Sequence, residues 1–240
     1  MSAPIGTPLL ELSAVETWIG ESHILQGIGF TVRPGRVTVL LGRNGAGKTT
    51  TLRSIMGLAP AGAGTIRFDG VEISRETTHK IVRRGIGYVP EDRDVFTGLT
   101  VSQNLALARR SSATEERTEL VFRLFPDLEK RGAQRAGTLS GGQQQMLAIA
   151  RALINDNRLL LIDEPSKGLA PVVVQQVTDA LASIKGTTTI LLVEQNLAMA
   201  QALGDDGVII DDGKVAHIGP MADIAADEAI QHRYLGVGHG

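Results

Sequence analysis

The sequence contains no cysteine, which excludes a disulfide-stapled scaffold, thiolate ligation of zinc or an iron–sulfur cluster, and a cysteine nucleophile. No stretch approaches the 18 or more apolar residues of a membrane-spanning helix. The start, MSAPIGTPLLELSAVE, lacks the basic-then-apolar order of a secretory signal. An excess of positive charge is missing too. Lys and Arg number 24 against 26 Asp and Glu, a formal net charge of −2, without the basic footprint of a general nucleic-acid binder. There is no internal repeat and no low-complexity linker. The expectation is a soluble, cytoplasmic protein with no nucleic-acid partner, which reaches a membrane only through another protein.

What is present is ordinary in bulk and unusual in glycine. Hydrophobic residues are 42% and charged residues 21% of 240, enough for one large α/β domain with a sizeable core. Glycine, at 28 of 240, exceeds the usual ~7%, so the fold uses it for turns and close backbone approaches. LLELSAVETWIG and HILQGIGFTVRPG read as strands broken at Gly20, Pro34 and Gly35. Residues 37–41 form a buried-strand run, 42–48 a glycine-rich loop and 49–56 a helix ending at Gly57. Residues 64–90 suggest two or three strands around a short basic helical segment. From 101 to 137 the apolar spacing turns helical, a helical subdomain inserted into an α/β core. Residues 141–153 continue as helix. Alternation then returns: strand 159–163, helix 172–184, strand 187–193, helix 197–203, two strands joined at Asp212 and Gly213, and a helical tail whose terminal GVGHG is expected to fray.

Gly42-Arg43-Asn44-Gly45-Ala46-Gly47-Lys48-Thr49 satisfies G-x-x-x-x-G-K-[ST] between a strand and a helix. Glycines there let backbone N–H groups curl round an anion, and the helix amino end adds partial positive charge. Lys48 can reach β and γ phosphates, and the Thr49 hydroxyl can ligate magnesium. Leu159-Leu160-Leu161-Ile162-Asp163-Glu164-Pro165 puts two carboxylates at the carboxyl end of a buried strand, where ligands of open α/β sheets bind. Asp163 is suited to hold magnesium through its water shell, and Glu164 to orient or deprotonate an attacking water. Leu139-Ser140-Gly141-Gly142-Gln143 opens a helix with a hydroxyl and free amides. It reads equally as a second anion-directed helix end and as a cap with glycines. His23, His79, His217, His232 and His239 have no metal-ligand spacing, and the pairs Arg83–Arg84 and Arg109–Arg110 read as solvated faces.

Three of these segments, GRNGAGKTT, LSGGQQQ and LLLIDEP, occur in the order found in the ATP-binding subunit of ABC transporters, which the chain resembles over nearly its whole length. The resemblance implies a P-loop α/β core with an antiparallel β subdomain and a helical subdomain near residues 98–155, within a single domain spanning 1–240. It implies ATP and Mg2+ as ligands, with Thr50 beside the phosphates. Two subunits would stack head to tail, so that Ser140, Gly141, Gly142 and Gln143 serve the nucleotide held by the other subunit's Lys48. Glu91 stands where many members have glutamine and would meet magnesium or its water. Gln195 replaces the family's switch histidine; it can hydrogen-bond the γ phosphate but carries no charge. The loop Ser166-Lys167-Gly168-Leu169 resembles the inter-subunit loop, with Ala170 where Asp is frequent. The aromatic that stacks on adenine would be Trp18, although the usual position is Ile19 and strand geometry sends the two side chains to opposite faces.

The wording of YVPEDRDVFTGLTVSQNL, LSGGQQQMLAIARAL, DEPSKGLAP and LLVEQN looks like the branched-chain amino acid uptake subgroup, the smaller of its two ATPases, whose relatives serve urea and short amides. The partners this implies are membrane permease subunits, a second ATPase subunit that is a similar chain or a second copy, and, indirectly, a substrate-binding protein. The location it implies is the cytoplasmic face of the cell membrane. The rival readings are an exporter subunit and a soluble ABC ATPase of repair or translation, though the latter generally carries long inserts or two fused cassettes.

Overall fold

The computed structural model describes residues 7–110 and 114–236; the expectations for His239 and for the end of GVGHG fall outside them. Strands β1 (Leu10–Ile19) and β2 (Ser22–Val32) pair antiparallel, and β3 (Val37–Leu41) leads through the glycine loop into helix α1 (Lys48–Ile55). Strands β4 (Ala63–Phe68) and β5 (Val71–Glu72) follow, then helix α2 (Thr78–Arg83) and strand β6 (Ile86–Val89). The next stretch is helical: α3 (Val101–Ala108), α4 (Glu115–Leu124), α5 (Pro126–Lys130) and α6 (Gly141–Leu153). The remainder alternates through β7 (Leu159–Asp163), α7 (Pro171–Ser183), β8 (Thr189–Val193), α8 (Leu197–Leu203), β9 (Asp206–Asp211), β10 (Lys214–Pro220) and α9 (Met221–Ala226).

Two sheets result. One is antiparallel, in the order β2-β1-β4-β5. The other runs β10-β9-β3-β8-β7-β6 and is parallel except for β10. The segments VTVLL, LLLID and TILLV are buried at every residue, as expected of parallel strands covered on both faces. Their alternation divides them between two cores. Val37, Val39, Leu41, Leu160, Ile162, Ile190 and Leu192 pack with the helices that include α6, α7 and α8. Leu40, Leu159, Leu161, Leu191 and Val193 pack against the antiparallel sheet and α1. Each such side chain contributes roughly 1.5–3 kcal/mol of transfer free energy, so the carboxyl ends of β3, β8, β7 and β6 form a stiff row.

Local chemistry accounts for where elements start. Thr100 and Gln103 form a reciprocal capping box at α3, and Ser140 and Gln143 form another at α6. The strand expected from residue 187 starts later, at Thr189, because the amides of Thr187 and Thr188 bond the Ile184 carbonyl at 3.2 and 3.0 Å and close the end of α7. Two of the arginines expected to be solvated are engaged instead. Arg84 grips Glu76 with two bonds of 2.7 and 2.5 Å. Arg110 donates to the Val82 carbonyl and to Asn157 Oδ1, joining the segment after α3 to α2 and to the turn before β7.

Candidate functional site

The parallel strand order brings four loops together, since ligands of such sheets meet the carboxyl ends of strands. The loop after β3 carries Gly42 to Lys48, that after β8 carries Glu194 and Gln195, that after β7 carries Glu164 to Leu169, and that after β6 carries Glu91. The loops after β3, β6 and β7 border a cavity of about 260 Å3 lined by Asn44, Gly45, Gly47, Lys48, Thr49, Thr50, Glu91, Glu164 and Lys167, with Ile24 from β2; Glu194 and Gln195 line an adjoining one with Gly42, Arg43 and Asn44.

The glycine loop is shaped by steric need. Gly42 (φ 142°) and Gly47 (φ 109°) lie in the region that favours glycine. A Cβ on Gly42 would stand 2.1 Å from the Ile210 carbonyl oxygen, and one on Gly47 would stand 2.8 Å from Leu25 Cδ2. Gly47 is the N-cap of α1 and offers no side-chain acceptor, so the first amides of the helix keep their donors for an anion. Ala46 is buried beneath the loop. Lys48, also buried, donates to the carbonyls of Gly42 at 2.8 Å and Arg43 at 3.0 Å and lies 3.8 Å from Glu164. Burial lowers the pKa of its ammonium, while Glu164 and Asp163 oppose that shift.

At the end of β7, Asp163 is wholly buried. Its Oδ1 accepts from the Thr49 hydroxyl at 3.1 Å, whereas its Oδ2 has no hydrogen-bond partner among the described residues. Burial pushes this carboxyl up to about 6, against the lowering effect of the Thr49 bond. A buried acceptor without a partner costs free energy. Beside a hydroxyl, at a phosphate-sized cavity, it is the kind of oxygen donor Mg2+ takes, because that ion keeps several waters and draws its other ligands from carboxylates and phosphates. The residues present therefore fit the metal.

Glu164 is buried and adopts a left-handed backbone conformation (φ 44°), a strain that side chains other than glycine rarely accept. The Gln195 amide nitrogen donates to Glu164 Oε1 and, at 2.6 Å, to Asn44 Oδ1. It thus ties three loops together. Lys167 pairs with Glu91 and lies 3.8 Å from Glu164 Oε2. One residue not anticipated from sequence is Glu194, only 1% exposed. Its carboxylate accepts from the Ser166 amide (3.0 Å) and hydroxyl (2.9 Å) and from the amides of Gln195 (3.0 Å) and Asn196 (2.9 Å). Burial raises its pKa against those bonds. The available signal was an acid directly after the apolar strand TILLV, a position that does not by itself separate a buried carboxylate from a solvated one.

Other residues expected at the site stand apart from this cavity. Ser140 is exposed and caps α6, its Oγ accepting from Gln143 N at 3.3 Å. Gly142 is buried against Val173, which a Cβ would meet at 2.7 Å, and Gly141 faces Arg93. Trp18 is 43% exposed and stacks on His23, with centroids 4.2 Å apart and rings 6° from parallel; it does not line the cavity.

The model of the ABC transporter family matches residues 25–167. The chain is similar to the high-affinity branched-chain amino acid transport ATP-binding protein BraG of Pseudomonas aeruginosa, at 38% identity over 95% of this chain and 100% of that protein. It is also similar to the lipopolysaccharide export system ATP-binding protein LptB of Escherichia coli, at 31% identity over 89% of this chain and 91% of that protein. A solved ATP-binding subunit of an ABC transporter superposes with a TM-score of 0.80 at 29% identity, over 95% of this chain and 96% of the other.

Proposed function

The chain belongs to the ABC transporter family, as an ATP-hydrolysing subunit, and on that premise we propose that it powers the import of branched-chain amino acids from the cytoplasmic face of a cell membrane. The observation that carries the importer reading is the 38% identity with BraG across the full length of that protein. The meeting of Lys48, Asp163, Glu164 and Gln195 at the strand ends supports the hydrolytic chemistry.

In this reading the amides of residues 45–49, with Thr50, and the Lys48 ammonium bind the phosphates of ATP, exchanging the carbonyls of Gly42 and Arg43 for phosphate oxygens. Thr49 and Asp163, with Glu91 directly or through water, would hold Mg2+, which when bound neutralises charge on the β and γ phosphates. Glu164 orients the attacking water and takes up its proton. Gln195 bonds the γ phosphate through its amide and, on doing so, releases Glu164 or Asn44. Residues 98–155 act as a helical subdomain whose Ser140, Gly141, Gly142 and Gln143 cover the nucleotide of a second subunit, a similar chain or another copy. Trp18, 43% exposed, is the aromatic assigned to adenine. Closure of the pair moves membrane permease subunits, which receive substrate from a binding protein; γ-phosphate contacts bias one of two states.

The test is affinity purification of the chain from gently solubilised native membranes, with mass spectrometry of what is retained. Two multi-span permeases and a second ATPase are the expected companions. Recovery of soluble partners alone would overturn the transport role and leave the ATPase intact. The similarity to LptB favours one second reading, export. Uptake of labelled leucine that is lost on deleting the gene, with urea and acetamide uptake unchanged, separates the importer from that reading and from the amide relatives.

A further inference from the structure

Four charged side chains line the cavity, the carboxylates of Glu91 and Glu164 and the ammonium groups of Lys48 and Lys167, and the buried carboxylate of Asp163 bonds Thr49 at its edge. Lys48 is held by carbonyls of its own loop, so it compensates the carboxylates only from the β3 side. Lys167 reaches in from the opposite wall. Its Nζ pairs with Glu91, on the loop after β6, and lies 3.8 Å from Glu164, on its own loop after β7. The backbone holds it there. The Lys167 amide bonds the Glu164 carbonyl at 3.1 Å, and the preceding residue, Ser166, is anchored to buried Glu194 through both its amide and its hydroxyl. Gly168 (φ 66°) then turns the chain away. The Lys167 side chain is more than half exposed, so it can leave without opening a cavity.

We propose that Lys167 is a counter-cation built into the site: it holds Glu91 and Glu164 together before the metal–nucleotide binds, and Mg2+ displaces it from Glu91. The inference rests on the nucleotide-site reading above. Two carboxylates that both border a phosphate pocket repel each other and an incoming ATP. An ammonium between them suppresses that repulsion, and competes with the divalent ion for Glu91, the carboxylate the two cations share. Removing it therefore has two effects of opposite sign. Nucleotide without metal meets more negative charge and binds less well, while the divalent cation loses a competitor and binds better. A residue that merely supports the loop would weaken both.

The experiment reads binding, apart from turnover. Binding of trinitrophenyl-ATP is followed by fluorescence in EDTA, and binding of Mn2+ by electron paramagnetic resonance with protein in excess over a non-hydrolysable ATP analogue. For Lys167→Gln the metal-free nucleotide dissociation constant is expected to rise, and the Mn2+ dissociation constant to fall, each by about two- to fivefold, the factor an exposed ion pair carries. Both effects should shrink as salt rises. Lys167→Arg keeps the charge and should stay near wild type in both. Shifts in the same direction, no shift in either, or Lys167→Arg behaving like Lys167→Gln would overturn the proposal. Failure of the wild-type chain to bind nucleotide at all would instead remove the site reading on which it stands.

Discussion

Asp163 shows how a single residue can serve chemistry at the expense of stability. Its carboxyl sits at about 6 rather than the ordinary 3.8, chiefly because of burial. The folded state therefore binds its proton more tightly than the unfolded chain does, and stability falls as pH rises from about 4 through 6. Below that window both states are protonated and the penalty vanishes. Asp163→Asn removes the ionisable group, so denaturation in EDTA should find the variant more stable than wild type at pH 8, by at most about 3 kcal/mol, and without that gain at pH 4. An equal difference at both pH values would contradict the burial account. The same reasoning applies to wild-type Mg2+ affinity, which depends on the ionised carboxylate and should weaken below pH 6. At this scale the sequence was legible where a residue type had one use, as with Lys48 in its glycine loop. It was not for Glu194, because an acid following TILLV has the same appearance whether it meets solvent or four donors.

Among elements, α6 carries the most information about a second subunit. Its N-cap Ser140 is exposed and bonds only within its own turn through the box with Gln143, so capping alone would account for its side chain within one chain. Two substitutions separate capping from a role at another subunit's nucleotide. Ser140→Ala loses the cap, at about 1 kcal/mol, and should lower the melting temperature by about 2–4 °C. Ser140→Asp keeps a good cap but aims a carboxylate at the phosphates, so thermal stability should stay near wild type while ATP turnover drops by at least about tenfold. Turnover that follows stability in both variants would leave α6 a capped helix and nothing more. The elements themselves were readable because periodicity is local: uninterrupted apolar runs gave β3, β7 and β8, and glycine and cap residues bounded α1 and α6. The late start of β8 was not readable, since it depends on which carbonyl the amides of Thr187 and Thr188 find at the end of α7.

For the whole molecule the open side of the nucleotide cavity is the decisive feature. Ser140, Gly141, Gly142 and Gln143 lie outside the cavity lining, so under the proposed function one chain would supply two half-sites rather than a closed one. Glu164→Gln removes the group proposed to accept the proton of water while keeping its shape, and should slow hydrolysis by about 100-fold or more. With ATP and Mg2+ it should sediment as a species of twice the monomer mass, or as a pair with the second ATPase subunit where that chain is needed. A monomer under those conditions, with the partner ATPase present, would count against closure on ATP. The sequence by itself determined the local form of the contiguous motifs, the glycine loop into α1, the paired carboxylates at the end of β7 and the capped start of α6, because that form needs only neighbouring residues in fixed local geometry. Tertiary structure alone decided the pairing of Lys167 with Glu91, the Gln195 bridge between Asn44 and Glu164, the seat of Ser166 on Glu194 and the stacking of Trp18 on His23. The first three join residues far apart in the chain or on neighbouring loops, and they exist because the sheet is ordered β3-β8-β7-β6 rather than in chain sequence; the last lies across the β1–β2 hairpin. That order sets which loops share a wall, and no residue pattern along a single strand carries it.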